Sequence, residues 1–213
     1  MRHHITNLYS GKHPGVALAL VDRLGLYHAI FTDPTSKEPK PDISAWKAAY
    51  GFLDAGNLQA EFAVSIYSRL VRNEEDAYIA WTFAAMIPWE GVKNPNLTRE
   101  TQRLQNMPLI ARAAREGIKA TNKVCTAISA AHAYRNEVIE LKRLACSEDE
   151  ARGRRDVFGM AICRWDNKTG NWRLPVLYAI LAEAMEKLET WPVSQDSERC
   201  HLPSDQGFTD YPR

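Results

Sequence analysis

Ten basic residues, Arg112, Arg115, Lys119, Lys123, Arg135, Lys142, Arg143, Arg164, Lys168 and Arg173, recur through the second half of this 213-residue chain. Cations carried on adjacent helices can grip a phosphate backbone, which sets affinity and register without reading sequence, because every nucleotide presents the same phosphate. Taken singly, each is more plainly a solubilising charge; several on adjacent helices would change that balance. The charge distribution is uneven, though a solvated helical surface is its plainer reading. Lys93 to Arg173 holds 16 Lys and Arg against 9 Asp and Glu, whereas the remainder holds 11 against 17. A net charge of +1 therefore conceals a basic stretch and an acidic remainder, the pattern of a region that meets a polyanion.

A second constellation lies between Glu148 and Asp156. Glu148-Asp149-Glu150-Ala151-Arg152 reads E-D-x-x-R, and Arg154-Arg155-Asp156 reads R-R-D. A carboxylate beside a guanidinium can present acceptor and donor edges to a base, and both runs resemble fragments of the nucleotide-selecting motifs of template-independent nucleotidyltransferases. The order is reversed and the spacing too short for those motifs. The plainer reading is a helix start, with acids in its first turn and bases one turn later. Other chemistry is missing from the sequence. There is no catalytic carboxylate pair in a usable context, no glycine-rich phosphate loop, no G-x-S-x-G elbow and no H-E-x-x-H. The four cysteines (Cys125, Cys146, Cys163, Cys200) are far apart, so zinc is not expected and free thiols are, three of them as small buried hydrophobes within helices. His28 and His132 read as structural or surface residues. No apolar run reaches the roughly 20 residues that span a bilayer.

The elements that would position these residues are helical. Val16–Phe31 carries a stripe of Leu20, Leu24 and Tyr27, weakened by Gly25. A Pro-rich linker over residues 32–42 follows, and Asp42 or Ser44 is placed to cap a helix with Trp46, Tyr50 and Leu53 on one face. Gln59–Ile87 is a long apolar stretch whose second half opens on Glu74-Glu75-Asp76 and ends at Pro88. Leu109–Lys119 sets Arg112, Arg115 and Lys119 on one face. Asn122–Ala145 turns Val124, Ile128, Ala131, Val138 and Leu141 inward and shows Lys123, Arg135, Lys142 and Arg143 outward. Helices from about Glu148 to Trp165 and from Trp172 to about Trp191 flank an Asp-Asn-Lys-Thr-Gly turn, with Trp165 and Trp172 expected to lock the core. The polar tail beyond Pro192 is expected to be disordered. The pattern predicts an all-α bundle.

Three ordered segments carry a resemblance: Gly11–Phe31 (GKHPGVALALVDRLGLYHAIF), Ala77–Trp89 (AYIAWTFAAMIPW) and Phe158–Met185. Over roughly residues 11–190 the chain resembles the C-terminal half of eukaryotic, in particular fungal, tRNA nucleotidyltransferases, the CCA-adding enzymes of the class that includes bacterial poly(A) polymerases. The resemblance implies an irregular helical bundle like that family's body and tail. Residues 1–10 would be a divergent remnant of the neck, 11–97 a helical body, 98–191 body and tail with a basic surface, and 192–213 a disordered end. The family's head carries Gly-Gly-x-x-x-Arg, a D-x-D/E metal pair and R-R-D-x-T-x-N-A, and its neck the true E-D-x-x-R. None stands upstream here, so the resemblance implies that this chain alone adds no nucleotides. It would hold no cofactor, magnesium and CTP or ATP belonging to the full-length enzyme. Its part would be to grip the acceptor arm and elbow of tRNA by backbone and shape while a head adds CCA. Lys119, Lys123, Arg135 and Lys142 are the first candidates for phosphate contacts. A head-bearing chain is the other expected partner, no membrane is, and the expected location is intracellular. Two alternatives stay open: an active enzyme with a site around Asp149–Asp156, and a helical interaction or dimerisation module that binds no RNA.

Overall fold

The computed structural model describes residues 13–32, 40–54, 61–92, 107–146 and 155–186. Among them regular structure is helical and no strand occurs, so the fold is all-α. Helix α1 spans Pro14–Arg23, with proline at its first position, where a missing N–H costs nothing. The single helix expected over Val16–Phe31 is interrupted. Leu24 caps α1, Gly25 takes a left-handed φ of +65°, and a separate turn, α2 (Tyr27–Ile30), follows. The inward face is Gly15, Leu18 and Val21, whereas Leu20 and Leu24, expected to pack, are 45% and 56% exposed. Close approach at Gly15 fixes this rotation: a Cβ there would lie 2.8 Å from Cγ of Asp54.

Helix α3 (Trp46–Leu53) buries Trp46, Ala49, Tyr50 and Leu53, the face expected from their spacing. Neither Asp42 nor Ser44 caps it. The Asp42 carboxylate instead accepts from the Ser44 N–H (2.9 Å) and hydroxyl (3.1 Å), forming a local turn, and Ala45 stands at the cap. The stretch expected from Gln59 to Ile87 contains α4 (Glu61–Leu70) and α5 (Glu74–Met86). Asn73 separates them, its side chain accepting the Asp76 N–H at 2.8 Å. Glu74, Glu75 and Asp76 occupy the first turn of α5, as expected from the helix dipole.

From Ile79 to Met86 every residue of α5 is buried, and the 3-10 turn Ile87–Trp89 continues inside the bundle. A helix end buried in this way must find donors for its last carbonyls. The residue four beyond Ala84 is Pro88, which has no N–H. The Ala84 carbonyl accepts Nε1 of Trp46 instead (2.8 Å), and the Ala85 carbonyl accepts the Tyr27 hydroxyl (2.9 Å). The Trp89 indole donates in turn to the Phe31 carbonyl at 3.0 Å.

Helix α6 (Leu109–Gly117) leads into α7 (Asn122–Cys146), which buries Val124, Ile128, Ala131, Val138 and Leu141 as expected. Helix α8 (Arg155–Thr169) runs four residues past the expected end at Trp165. Gly170, at φ +70°, supplies the left-handed turn, and the Asp166 carboxylate accepts the Trp172 N–H. Helix α9 (Arg173–Glu186) packs along α7 on one side and against α3 and α5 on the other. The main core joins residues from Leu18 to Trp89 with Ile110, Ile128, Leu174, Leu177 and Tyr178. A smaller cluster of Val138, Leu141, Ala161, Trp165 and Ala179 ties α8 to α7 and α9. Residues 1–10, 147–154 and 192–213, for which a neck remnant, a helix start and a disordered tail were expected, lie outside the described residues.

Trp46→Phe keeps the ring but leaves the Ala84 carbonyl without a donor. We expect it to lower the urea unfolding free energy by about 1–3 kcal/mol, the cost of an unsatisfied buried polar group. A midpoint equal to that of wild type would show that this carbonyl has another donor.

Candidate nucleic-acid interface

The ten basic residues are spread over four helices and their ends. Arg112 is half-buried and Arg115 exposed on α6. Lys119, expected on the same helical face, lies beyond the helix in the left-handed region (φ 55°), because the chain turns there to bring the Ala120 N–H to the Ala114 carbonyl at 3.1 Å. Lys119 pairs with Glu116 at 3.2 Å. On α7, Lys123 pairs with Glu75 of α5, Lys142 with Glu183 of α9, and Arg143 with Glu140 at 3.1 Å. Arg164 of α8 pairs with Glu137 of α7, whose other oxygen accepts Nε1 of Trp165 at 2.9 Å. Lys168 is exposed near the end of α8. Arg173, first in α9, lies 4.7 Å over the Trp172 ring and donates through Nε to the Arg69 carbonyl at 3.1 Å. With Arg135, described below, at least six of the ten face a carboxylate of the same chain. The pairs at Lys119, Lys123, Arg143 and Arg164 are solvent-exposed, and such pairs contribute about 0–1 kcal/mol, so an incoming phosphate can exchange with them at little cost.

Arg135 is placed differently. Its side chain is 16% exposed and its guanidinium meets Glu90 at 3.6 Å and Glu186. Glu90, in the turn after the 3-10 segment, also binds Nδ1 of His132 at 2.7 Å and accepts the Tyr178 hydroxyl. One carboxylate thereby ties the end of α5 to both α7 and α9. Burial pushes the Glu90 carboxyl up, but hydrogen bonds from His132 and Tyr178 and the charges of His132 and Arg135 outweigh it and hold the group below its usual range. Burial, reinforced by the Glu90 charge, pushes the Tyr178 phenol well above its ordinary value.

Beside this network a cleft of about 320 Å³ is lined by Asp42, Ser44, Ile87, Pro88, Glu90, Met185 and Glu186 among others. Its ionisable lining is acidic, the wrong sign for the phosphates of a nucleotide. Among the described residues no three His, Cys, Asp or Glu side chains gather to hold a metal ion. The E-D-x-x-R run and Arg154 lie outside the described residues; Arg155 and Asp156 are exposed in the first turn of α8. Cys125 is buried, and burial pushes its thiol up. Cys146 and Cys163, expected to be buried, are exposed free thiols, one at the last residue of α7 and one on the outer side of α8. No helix of the described residues is long and apolar enough to cross a membrane.

Sequence spacing could not reveal the Glu90 network, whose members stand 42 and 88 residues apart. Exposed Arg69, 104 residues from the Arg173 that meets it, was missed for the same reason, whereas Arg72, four residues before its partner Asp76, was readable from spacing and was overlooked. Trp165 is buried as expected, whereas Trp172 is half-buried with Arg173 across its ring.

A folded-state pKa held below the unfolded one contributes stability that is present above the unfolded value and lost as pH falls. For Glu90 the loss should set in as pH drops below about 4.3, the ordinary glutamate value. We expect Glu90→Gln to flatten this acid limb of the unfolding midpoint; an unchanged limb would remove Glu90 as its source.

No family model matches the chain, and no solved structure matches it. Over 193 residues the chain is 39% identical to Nucleotidyltransferase lcsQ of Purpureocillium lilacinum, an alignment covering 89% of this chain and 31% of that protein. The chain thus spans about a third of the length of the curated relative it matches. At that identity across nearly all of its length, the chain is related to a fungal nucleotidyltransferase.

Proposed function

We propose that this chain is the tRNA-gripping part of a nucleotidyltransferase, the nucleotide-adding chemistry residing in a portion with no counterpart among its residues. The observation that carries the reading is the match itself: nearly all of this chain aligns with less than a third of a nucleotidyltransferase. More than two thirds of that relative is left for the carboxylates, magnesium and CTP or ATP that nucleotidyl transfer needs. In this reading the helical bundle supplies a rigid surface for the acceptor arm and elbow. The exposed cations Arg115, Lys119, Lys123, Lys142, Arg143, Arg164 and Lys168 contact phosphates, with half-buried Arg173 beside them. Arg135, turned toward Glu90, holds the bundle instead of touching RNA. Recognition by backbone and shape suits a substrate class whose members differ in sequence.

A helical interaction module without RNA binding is the competing reading, favoured by the internal carboxylate partners of at least six of the ten cations. Fluorescence polarisation with a tRNA transcript lacking its 3′ CCA separates the two. We expect binding that weakens steeply between about 50 and 200 mM salt, with Lys123→Ala and Lys168→Ala each lowering the slope of log K against log salt by about 1. Salt-independent binding, or none with a stable dimer by light scattering, would favour the interaction module. With magnesium and labelled CTP or ATP the chain alone should incorporate no nucleotide.

A further inference from the structure

The turn between α8 and α9 holds an arginine in place before any ligand arrives. Trp172 packs against the smaller core cluster, and the Arg173 guanidinium lies 4.7 Å over its ring. The same guanidinium donates through Nε to the Arg69 carbonyl at 3.1 Å, which ties it to the end of α4. One nitrogen is thus spent on the fold, while Nη1 and Nη2 have no hydrogen-bond partner among the described residues. A guanidinium stacked on an indole and bonded through Nε keeps its outer fork free. A fork fixed in advance loses little entropy on binding.

The backbone beneath is fixed as well. Asp76, 7% exposed, accepts Nδ2 of Asn171 at 2.9 Å and the Arg72 N–H at 3.3 Å. Asn171 Oδ1 accepts the Arg173 N–H at 3.1 Å. These bonds seat Arg173 beside Arg69, 104 residues away in sequence, and Arg72. Arg69, in the last turn of α4, and Arg72, just before α5, are both exposed. Arg69 meets no carboxylate among the described residues, and Arg72 reaches Asp76 only at 4.0 Å, the outer limit of an ion pair. Lys123, Lys142 and Arg164, by contrast, must each give up a glutamate before they can hold another anion. Exposed Glu74, two residues beyond Arg72, is the acid set against an incoming anion at this junction.

We propose that this junction anchors the RNA: the Arg173 fork takes one backbone phosphate in a bidentate pair, and Arg69 and Arg72 take its neighbours. The inference rests on the RNA-gripping reading above and adds where on the bundle the backbone is held most tightly. Phosphate suits the geometry, because a planar fork of N–H donors matches two oxygens of one phosphate, which a lysine ammonium does not.

Fluorescence polarisation with the tRNA transcript lacking its 3′ CCA, run over a salt series on the full chain, tests the anchor. Arg173→Lys keeps the charge and loses the fork. Binding should weaken about tenfold, the factor one charge-assisted hydrogen bond carries, with the salt slope unchanged. Arg69→Ala and Arg72→Ala, at exposed positions, should each lower that slope by about 1 with an unchanged thermal midpoint. Arg155→Ala, exposed at the other end of α8 and about 20 Å along its axis from the turn, should change neither. Inorganic phosphate or CTP in millimolar excess should leave the transcript bound; displacement by either would make the junction a free-anion site and overturn the proposal. Displacement by polyglutamate as effective as by unlabelled transcript would assign it to an acidic protein and overturn it too. A weakening confined to Arg173→Lys, with a lowered thermal midpoint, would make Arg173 structural and remove the anchor. Wild type that binds tRNA, with Arg173→Lys, Arg69→Ala and Arg72→Ala indistinguishable from it, sinks the anchor alone. Wild type that binds no tRNA sinks the RNA-gripping reading and the anchor with it.

Discussion

Pro88 has no N–H, so the carbonyl of Ala84, one turn back and deep in the bundle, must be satisfied from another element, and the indole of Trp46 does so. The neighbouring carbonyl of Ala85 draws on Tyr27 in the same way, and Trp89 answers with a bond to Phe31. These contacts set more than a helix end. They fix α2 and α3 against the terminus of α5, seat the rings of Tyr27, Phe31 and Tyr50 edge to face with Trp46, and aim the chain so that Glu90 emerges beneath α7 and α9. Glu90 then takes His132, Arg135 and Tyr178 together, and the pairing of α7 with α9 depends on that junction. The flanks that carry Lys123, Lys142 and Arg164 are thus positioned by a hydrogen-bond deficit at a proline some distance away.

Much of this was legible in the sequence, where periodicity reports burial directly. The buried face of α3, the inward residues of α7 and the acidic first turn of α5 follow from spacing and the helix dipole alone. Reading failed where a tertiary contact chose between two apolar faces. Helix α1 has two candidates, and only the seating of Gly15 on Asp54 decides for Leu18 over Leu20. It failed again where a polar run was read as a turn: Asp166 to Thr169 stay helical because Gly170 ends the helix later. The basic residues were visible from the start, but their partners were not. Glu75, Glu183 and Glu186 lie 48, 41 and 51 residues from the cations they meet, beyond any spacing rule.

Those partners bear on how a surface of this kind would distinguish its ligands. An exposed lysine or arginine already paired with a carboxylate gains little from a single phosphate, since one weak ion pair is exchanged for another. The gain comes from number. Each phosphate bound in place releases condensed counterions from a nucleic acid, an entropy that a free nucleotide or an inorganic anion does not supply to the same extent. Internal pairing would therefore suppress small anions while leaving a dense, regularly spaced polyanion able to displace many carboxylates together. On the proposed reading, the glutamates beside Lys123, Arg143 and Arg164 act as a threshold: they lower affinity for every anion and thereby raise the relative preference for a folded RNA that presents many phosphates at once.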